Sequence, residues 1–101
     1  MTVTVTDVPE RNRFEMRDGD TLVGLAEYHL YHDEVAILHT EIGDEFGGRG
    51  LGGQLVQAVM DDARAKGRKV LPYCPFTRAW LRKHPDYADL VPETHRQRFG
   101  L

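Results

Sequence analysis

The sequence predicts a mixed α/β fold of the α+β type, with a mostly antiparallel sheet, one parallel pair of strands and two main helices. Short runs of alternating polar and apolar residues precede residue 43, as in half-buried strands. A glycine-rich stretch, residues 47–53, then leads into the longest helical pattern of the chain. The order strand, glycine loop, helix, strand is a crossover unit, which places two parallel strands in one sheet with the helix packed on it.

The segment before residue 43 predicts antiparallel strands joined by tight turns. Residues 1–12 read either as a strand start or as a loose terminus. Residues 13–17 alternate as a half-buried strand does, and the Asp18-Gly19 pair favours a hairpin turn into a strand over residues 21–31. Gly24 is a candidate bulge in that strand.

The next strand is expected over residues 35–42, after a turn at residues 32–34. Its first half is apolar on both faces, as in a central strand. Strict alternation predicts one face made of Val35, Ile37, His39 and Glu41 and an opposite face made of Ala36, Leu38, Thr40 and Ile42.

The second half of the chain predicts two helices around a short strand. From Gly50 to about Lys66, apolar residues recur at helical spacing, and Gly67 is placed to end the helix as a C′ glycine. Residues 68–74 form the strand, and residues 76–84 form the second helix, with Thr77 as its N-cap. Trp80 and Leu81 are expected in the core, residues 86–92 in a loop or helical turn, and residues 93–101 in a polar tail.

The length of 101 residues predicts one domain over residues 1–101, with its core at about residues 10–91. Apolar residues make up 41% and charged residues 29%, which excludes a wholly disordered chain. No apolar run approaches the ~20 residues of a membrane span, and no secretory signal is visible. We expect a cytoplasmic protein without membrane partners, most simply a monomer.

The net charge of −3 combines two unequal halves. Residues 1–45 carry three arginines against eleven acidic residues, whereas residues 46–101 carry ten basic against five acidic residues. An acidic chain is a poor nucleic-acid binder, because that affinity depends on neutralising phosphates. A basic half suits a polyanionic cofactor, although two differently solvated faces would look the same.

The glycine-rich stretch is a candidate anion cradle. Glycines let the backbone approach a ligand closely, and the free N–H groups at a helix start favour a phosphate. A Walker loop would need Lys-Ser/Thr after its last glycine, and here Gly53-Gln54 follows Gly52. Gly48-x-Gly50-x-x-Gly53 does match a dinucleotide fingerprint, but residues 63–85 lack the acidic residue that binds the ribose.

Taken with its flanking segments, the stretch resembles the GNAT superfamily of N-acetyltransferases, whose cofactor motif is Gln/Arg-x-x-Gly-x-Gly/Ala. Residues 47–52 align with this motif, with Gly47 in place of the usual Gln or Arg. Further segments are similar to the small stand-alone GNAT-like family exemplified by N-acetyltransferase domain-containing protein 1: His39-Thr40-Glu41, Pro72-Tyr73-Cys74-Pro75-Phe76 and His84-Pro85-Asp86-Tyr87.

The resemblance implies acetyl-CoA as the cofactor and an amine on a small molecule or peptide as the acceptor. It places the thioester near backbone N–H groups around Thr40 to Ile42, with the pantetheine arm between two splayed strands. The cofactor-binding residues would be Ile42, Gly47, Gly48, Arg49, Gly50, Leu51, Gly52 and Gly53. The alternative is a non-catalytic acyl-CoA-binding or interaction module.

The candidate catalytic residues are Cys74, His39 and Glu41. His39 and Glu41 are two positions apart on a strand, so either could be a base; the alternatives are a structural histidine and a solvated carboxylate. The resemblance implies that Cys74 carries the acyl group, whereas an inert buried thiol is the alternative. Tyr73 is a weaker candidate for the acid.

Basic residues of the second helix, Arg78, Arg82 and Lys83, are candidates for contacting the 3′-phosphate of the cofactor, or else form a solvated helix face. No metal site is predicted. His29 and His32 are three positions apart on a strand and therefore point to opposite faces, so they cannot share a ligand set with His39.

Overall fold

A computed structural model describes residues 2–101 as one five-stranded sheet with helices. The strands are β1 (Thr4–Val8), β2 (Arg13–Asp18), β3 (Thr21–Tyr31), β4 (Glu34–Ile42) and β5 (Lys69–Pro72), and the α-helices are α1 (Leu51–Ala65), α2 (Pro75–Lys83) and α3 (Glu93–Arg96). The sheet order is β1-β2-β3-β4-β5, with every neighbouring pair antiparallel except the parallel pair β4–β5. The predicted fold class is confirmed.

The β2–β3 hairpin forms as the Asp-Gly pair predicts, with Gly19 in the left-handed region at φ +58°. The register of this hairpin shifts at Gly24: Met16 pairs with Gly24 and Arg17 with Leu22, which leaves Val23 as an extra residue. The bulge is therefore one position from the expected one. At Gly24, a Cβ would lie 2.6 Å from the carbonyl oxygen of Glu41, so the two backbones meet too closely for a side chain.

The predicted alternation along β4 is wrong in its second half. Glu27 pairs with His39 and Tyr28 with Ile37, so that Leu38 is an extra, bulged residue. Because paired residues share a face, the bulge reverses the alternation. Ile37, Thr40 and Ile42 lie on the helix-covered face, whereas His39 and Glu41 lie on the opposite face.

Helix α1 covers one face of the sheet with an apolar stripe. Its fully buried residues are Leu55, Val56, Val59, Met60 and Ala63. The helix ends as predicted at Gly67, which has φ +67°. The N–H of Arg68 donates to the carbonyl of Ala63 and that of Gly67 to the carbonyl of Arg64, which is the Schellman arrangement.

Two predictions for the C-terminal third are wrong. Thr77 is not the N-cap of α2: the helix begins at Pro75 with Cys74 as the capping residue, and Thr77 is buried inside its first turn. Residues 93–101 are not a loose polar tail, since they form α3 and a 3-10 turn, Gln97–Phe99. Phe99 is buried there and packs edge-on against Tyr73.

The helices of residues 2–101 include none with the length and hydropathy needed to cross a membrane.

Candidate functional site

A cleft opens where β4 and β5 part. Their parallel pairing ends at Ile37 and Pro72, and one further hydrogen bond joins the N–H of Cys74 to the carbonyl of Ile37 at 2.9 Å. Beyond this point no β4–β5 pairing exists in the part of the chain that the structure describes. Unpaired backbone groups of a strand can accept an extended guest.

The cleft has a volume of about 180 Å³ and lies between the end of β4 and the start of α1. The residues around it are Thr40, Glu41, Ile42, Gly52, Leu55 and Phe76. The lining combines apolar residues, among them Ile42, Leu55 and Phe76, with the polar residues Thr40 and Glu41. An extended chain with an apolar stem and amide groups matches this combination.

The glycine loop fits a phosphate group. Gly48 and Gly50 have φ values of +77° and +71°, and a Cβ on either would meet no atom within 4 Å. Helix α1 starts with Gly50 as its N-cap and has no side-chain cap; the hydrogen bond from the N–H of Gln54 to Gly50 opens the helical pattern. The N–H groups of residues 51–53 are therefore free for an anion at the positive end of the helix dipole.

Arg49 and Gly47 of the loop differ in what they can contribute to the binding of a phosphate. Arg49 is exposed between the two left-handed glycines, where its guanidinium can reach a phosphate. Gly47 is extended, with φ −63° and ψ 156°, and closes the 3-10 turn Asp44–Phe46 by donating to Asp44. It contributes a backbone and no side-chain contact. Leu51 is buried and anchors the first turn of α1.

Helix α2 packs against the glycines at the start of α1, most closely at Gly52. A Cβ at Gly52 would lie 2.8 Å from Cζ of Phe76, and one at Gly53 would lie 3.8 Å from Nε1 of Trp80. The half-exposed ring of Phe76 therefore forms one wall of the cleft, and Trp80 is buried one turn further along α2. Sequence reasoning missed the role of Phe76 because an aromatic residue at helical spacing looks like core.

Cys74 lies beside the cleft in the capping position of α2. Its side chain is 4% exposed, and its Sγ lies 3.4 Å from the Oγ1 of Thr40. Burial alone would raise the pKa of the Cys74 thiol, but hydrogen bonds from the hydroxyl of Thr40 and from the N–H groups of Thr77 and Phe76 outweigh it and lower that pKa below its ordinary value.

Thr77 adds an unusual feature to the surroundings of the thiol. It is fully buried, and its Oγ1 has no close hydrogen-bond partner among residues 2–101. Its hydroxyl is nevertheless one of the groups that lower the pKa of the Cys74 thiol. Thr77 lies one helical turn into α2 from Cys74.

His39 and Glu41 form a hydrogen-bonded pair on the opposite face of the sheet. Nε2 of His39 lies 3.0 Å from Oε1 of Glu41, and both side chains are more than half exposed. The bond to Glu41 is the main cause of a raised pKa for His39. The structure therefore brings these two candidates together, as predicted, but does not bring either into contact with Cys74.

Comparisons with known proteins identify the family and agree with the fold. A family model described as GCN5-related N-acetyltransferase matches residues 13–90. The chain is also similar to the solution NMR structure of a GCN5-like protein from Staphylococcus aureus that has been provisionally assigned as an N-acetyltransferase. The two are 28% identical with a TM-score of 0.67, over 88% of this chain and 87% of that one. No curated protein sequence matches the chain significantly.

Proposed function

We propose that the chain, which belongs to the GCN5-related N-acetyltransferase family, transfers an acetyl group from acetyl-CoA to an amine. One observation carries the proposal: Thr40 lines the cleft and also hydrogen-bonds to the Sγ of Cys74. The cleft and a thiol with a lowered pKa are thus in contact through one side chain. We also propose that the chain belongs to the small stand-alone branch of this family, which N-acetyltransferase domain-containing protein 1 exemplifies.

The glycine loop holds the cofactor in this proposal. The free N–H groups of residues 51–53 and the guanidinium of Arg49 bind the pyrophosphate, and the unpaired end of β4, from Thr40 to Ile42, faces the pantetheine arm. These are the residues expected from the sequence, with Gly47, Gly48, Gly50 and Gly53 keeping the approach open. Acetyl-CoA supplies an activated thioester. The chain positions this thioester and supplies a nucleophile and a base.

Cys74 acts as the nucleophile. Its thiolate forms a bond to the acetyl carbonyl carbon, and the electron pair of the broken C–S bond leaves with the CoA sulfur, which takes up a proton. The acetyl group then rests on Sγ as a thioester. Hydrogen bonds from Thr40 and the start of α2 stabilise the thiolate before attack, because they favour the charged form.

The amine attacks the acetyl-cysteine in the second step. A neutral amine nitrogen forms the amide bond, the Cys74 thiolate leaves, and the proton lost by the nitrogen passes to His39, directly or through water. Glu41 holds the imidazole by the 3.0 Å hydrogen bond and stabilises its protonated form. His39 then releases this proton to solvent, which replaces the one that the CoA sulfur took up from solvent, so the Cys74 thiolate, the CoA thiol and the acetylated amine account for every atom.

Intact-mass spectrometry tests the nucleophile directly. The purified protein is incubated with acetyl-CoA, and we expect one acetyl adduct that Cys74→Ser removes while the fold survives. If instead Cys74→Ala supports full turnover with an amine, transfer is direct and the assignment of Cys74 is wrong.

Release of free thiol in the presence of polyamines, lysine peptides and amino sugars distinguishes an enzyme from a binding module. We expect release to depend on the added amine. Tight CoA binding with neither an adduct nor thiol release above background would favour the non-catalytic alternative.

A further inference from the structure

A second concavity, of about 570 Å³, lies between α2 and the C-terminal segment. Three arginines surround it, Arg78, Arg82 and Arg98, and Phe99 closes it from below. Phe76 and Trp80 of α2 face the glycines of α1. Arg78 and Arg82 are each two positions further along, which on an α-helix is the opposite side. This arginine groove is therefore separate from the glycine loop.

Neutral partners hold the three guanidinium groups in place. Arg78 donates to the carbonyl of Tyr73 at 2.7 Å, Arg82 donates to the carbonyl of Gly100 at 3.2 Å, and Arg98 donates to the hydroxyl of Tyr73 at 2.8 Å. The guanidinium of Arg98 also lies 4.7 Å above the ring of Phe99. A guanidinium has five N–H donors, so each arginine keeps donors free for a ligand.

No acidic residue lines the groove, and within residues 2–101 none of these three arginines forms an ion pair. Four other arginines of residues 2–101 are paired with carboxylates, whereas Arg49, Arg68 and Arg96 form no ion pair but do not share one concavity. Arg13 and Arg17 converge on the buried Glu15, and Arg64 binds Asp89 through two hydrogen bonds. Three permanent positive charges around one concavity repel each other, and an anion between them relieves that repulsion.

The groove continues into another concavity on the face of the sheet that carries His39. Tyr73 and Arg98 line both concavities. The one on the face of the sheet has a volume of about 600 Å³ and is also lined by Leu38 and His29. His29 pairs with Ala36 and Glu27 with His39, on the face that α1 leaves uncovered. A molecule bound across the shared wall can therefore reach from the arginines toward the proposed base.

We propose that the arginine groove binds a carboxylate or phosphate group carried by the acceptor. The substrate class is then an amine that also bears an acidic group, as in an amino acid or a phosphorylated amine. Assignment to the acceptor rests on the proposed function, whereas anion binding by the groove does not.

Titration with inorganic pyrophosphate in the presence of saturating CoA tests the groove itself. The Arg82→Gln/Arg98→Gln variant should bind pyrophosphate at least about tenfold more weakly, since each charge-assisted contact is worth roughly that factor. The control, Arg11→Gln/Arg68→Gln, removes the same charge outside the groove and should bind like the wild type. Equal losses in both variants, or no loss in either, would overturn the proposal.

A measurement on the unaltered protein guards against a variant that fails to fold. The Nε–H signals of Arg82 and Arg98 in NMR spectra should move during the titration, while that of Arg64, already bound to Asp89, should not. Movement confined to Arg49 would place the anion in the glycine loop and contradict the proposal.

Two further arms identify the source of the anion. With O-phosphoethanolamine against ethanolamine, and 4-aminobutyrate against butylamine, KM should be lower for the acidic member, and the groove variant should abolish the difference. If the variant instead weakens CoA but not dephospho-CoA, the groove holds the cofactor's 3′-phosphate and the acceptor assignment is wrong. If no amine is acetylated, the proposed function fails while the pyrophosphate titration still decides the groove.

Discussion

At the scale of single residues, the Oγ1 of Thr40 lies 3.4 Å from the Sγ of Cys74. The hydroxyl of Thr40 is the foremost of the hydrogen bonds that lower the pKa of Cys74 against the opposing effect of burial. We predict that Thr40→Val raises this pKa, so that alkylation by iodoacetamide requires higher pH. Thr40→Ser keeps the hydroxyl and should alkylate like the wild type. An unchanged pH profile in Thr40→Val would mean that the N–H groups of α2 alone stabilise the thiolate.

The pair His39 and Glu41 predicts a specific pH dependence. A base must be neutral to accept a proton, and the hydrogen bond to Glu41 raises the pKa of His39 above its ordinary value. The rising limb of kcat/KM should therefore lie at higher pH than for a free histidine. Glu41→Gln removes the charge and lowers that pKa, which shifts the limb to lower pH. Comparison with the same amine cancels the titration of the acceptor, and identical limbs would exclude His39 as the base.

At the scale of elements, one glycine of the loop and the glycine at the end of α1 have the same backbone conformation and can be compared directly. Gly50 and Gly67 both have positive φ, of +71° and +67°, and a Cβ added to either would have no atom within 4 Å. Alanine at either site should cost about 1 kcal/mol in the free energy of unfolding because of its backbone conformation. Gly50→Ala alone should weaken CoA binding, since its Cβ stands where the phosphate approaches. Calorimetry on both variants checks this, and equal CoA affinities would contradict the cradle.

The elements differ in how far the sequence could predict them. The end of α1 was predictable because Gly67 follows a long helical pattern and is needed for a left-handed turn. The bulge at Leu38 was not, because its signal is a missing cross-strand partner and Leu38 sits in an apolar run. Thr77 looked like an N-cap by residue type, but Pro75 suits the first helical position, so α2 starts at Pro75 and Cys74 is the capping residue.

The bulge at Leu38 also determines which candidate residues lie on each face of the sheet. With strict alternation, His39 would share a face with Ile37 and lie under the helices. The reversal at Leu38 moves the histidine to the open face and leaves Thr40 beside Cys74. The anion-binding geometry of the loop could be predicted from its glycines because it depends on the backbone. The position of the Cys74 thiol could not, because it depends on packing between segments that are distant in sequence.

At the scale of the whole molecule, the two faces of the sheet are covered differently. Helices α1 and α2 close one face, where the glycine loop and the thiol lie. The C-terminal segment covers part of the other face, where it packs against Tyr73. A donor entering from the helix side and an acceptor from the open side would meet at the gap between β4 and β5, which is consistent with chemistry at that gap.

Phe99 packs the C-terminal segment, residues 93–101, against the rest of the molecule. Its ring is 5% exposed and stands 5.3 Å from that of Tyr73 at 85°. Phe99→Ala should lower the free energy of unfolding by about 3 kcal/mol or more, the usual range for a buried phenylalanine. Phe76→Ala, at a ring that is 48% exposed, should cost much less. Because the segment packs on the same core, urea unfolding should remain one transition. A separate early transition would show that the segment folds independently, and the wall that shapes the arginine groove would then be a detachable part of the molecule.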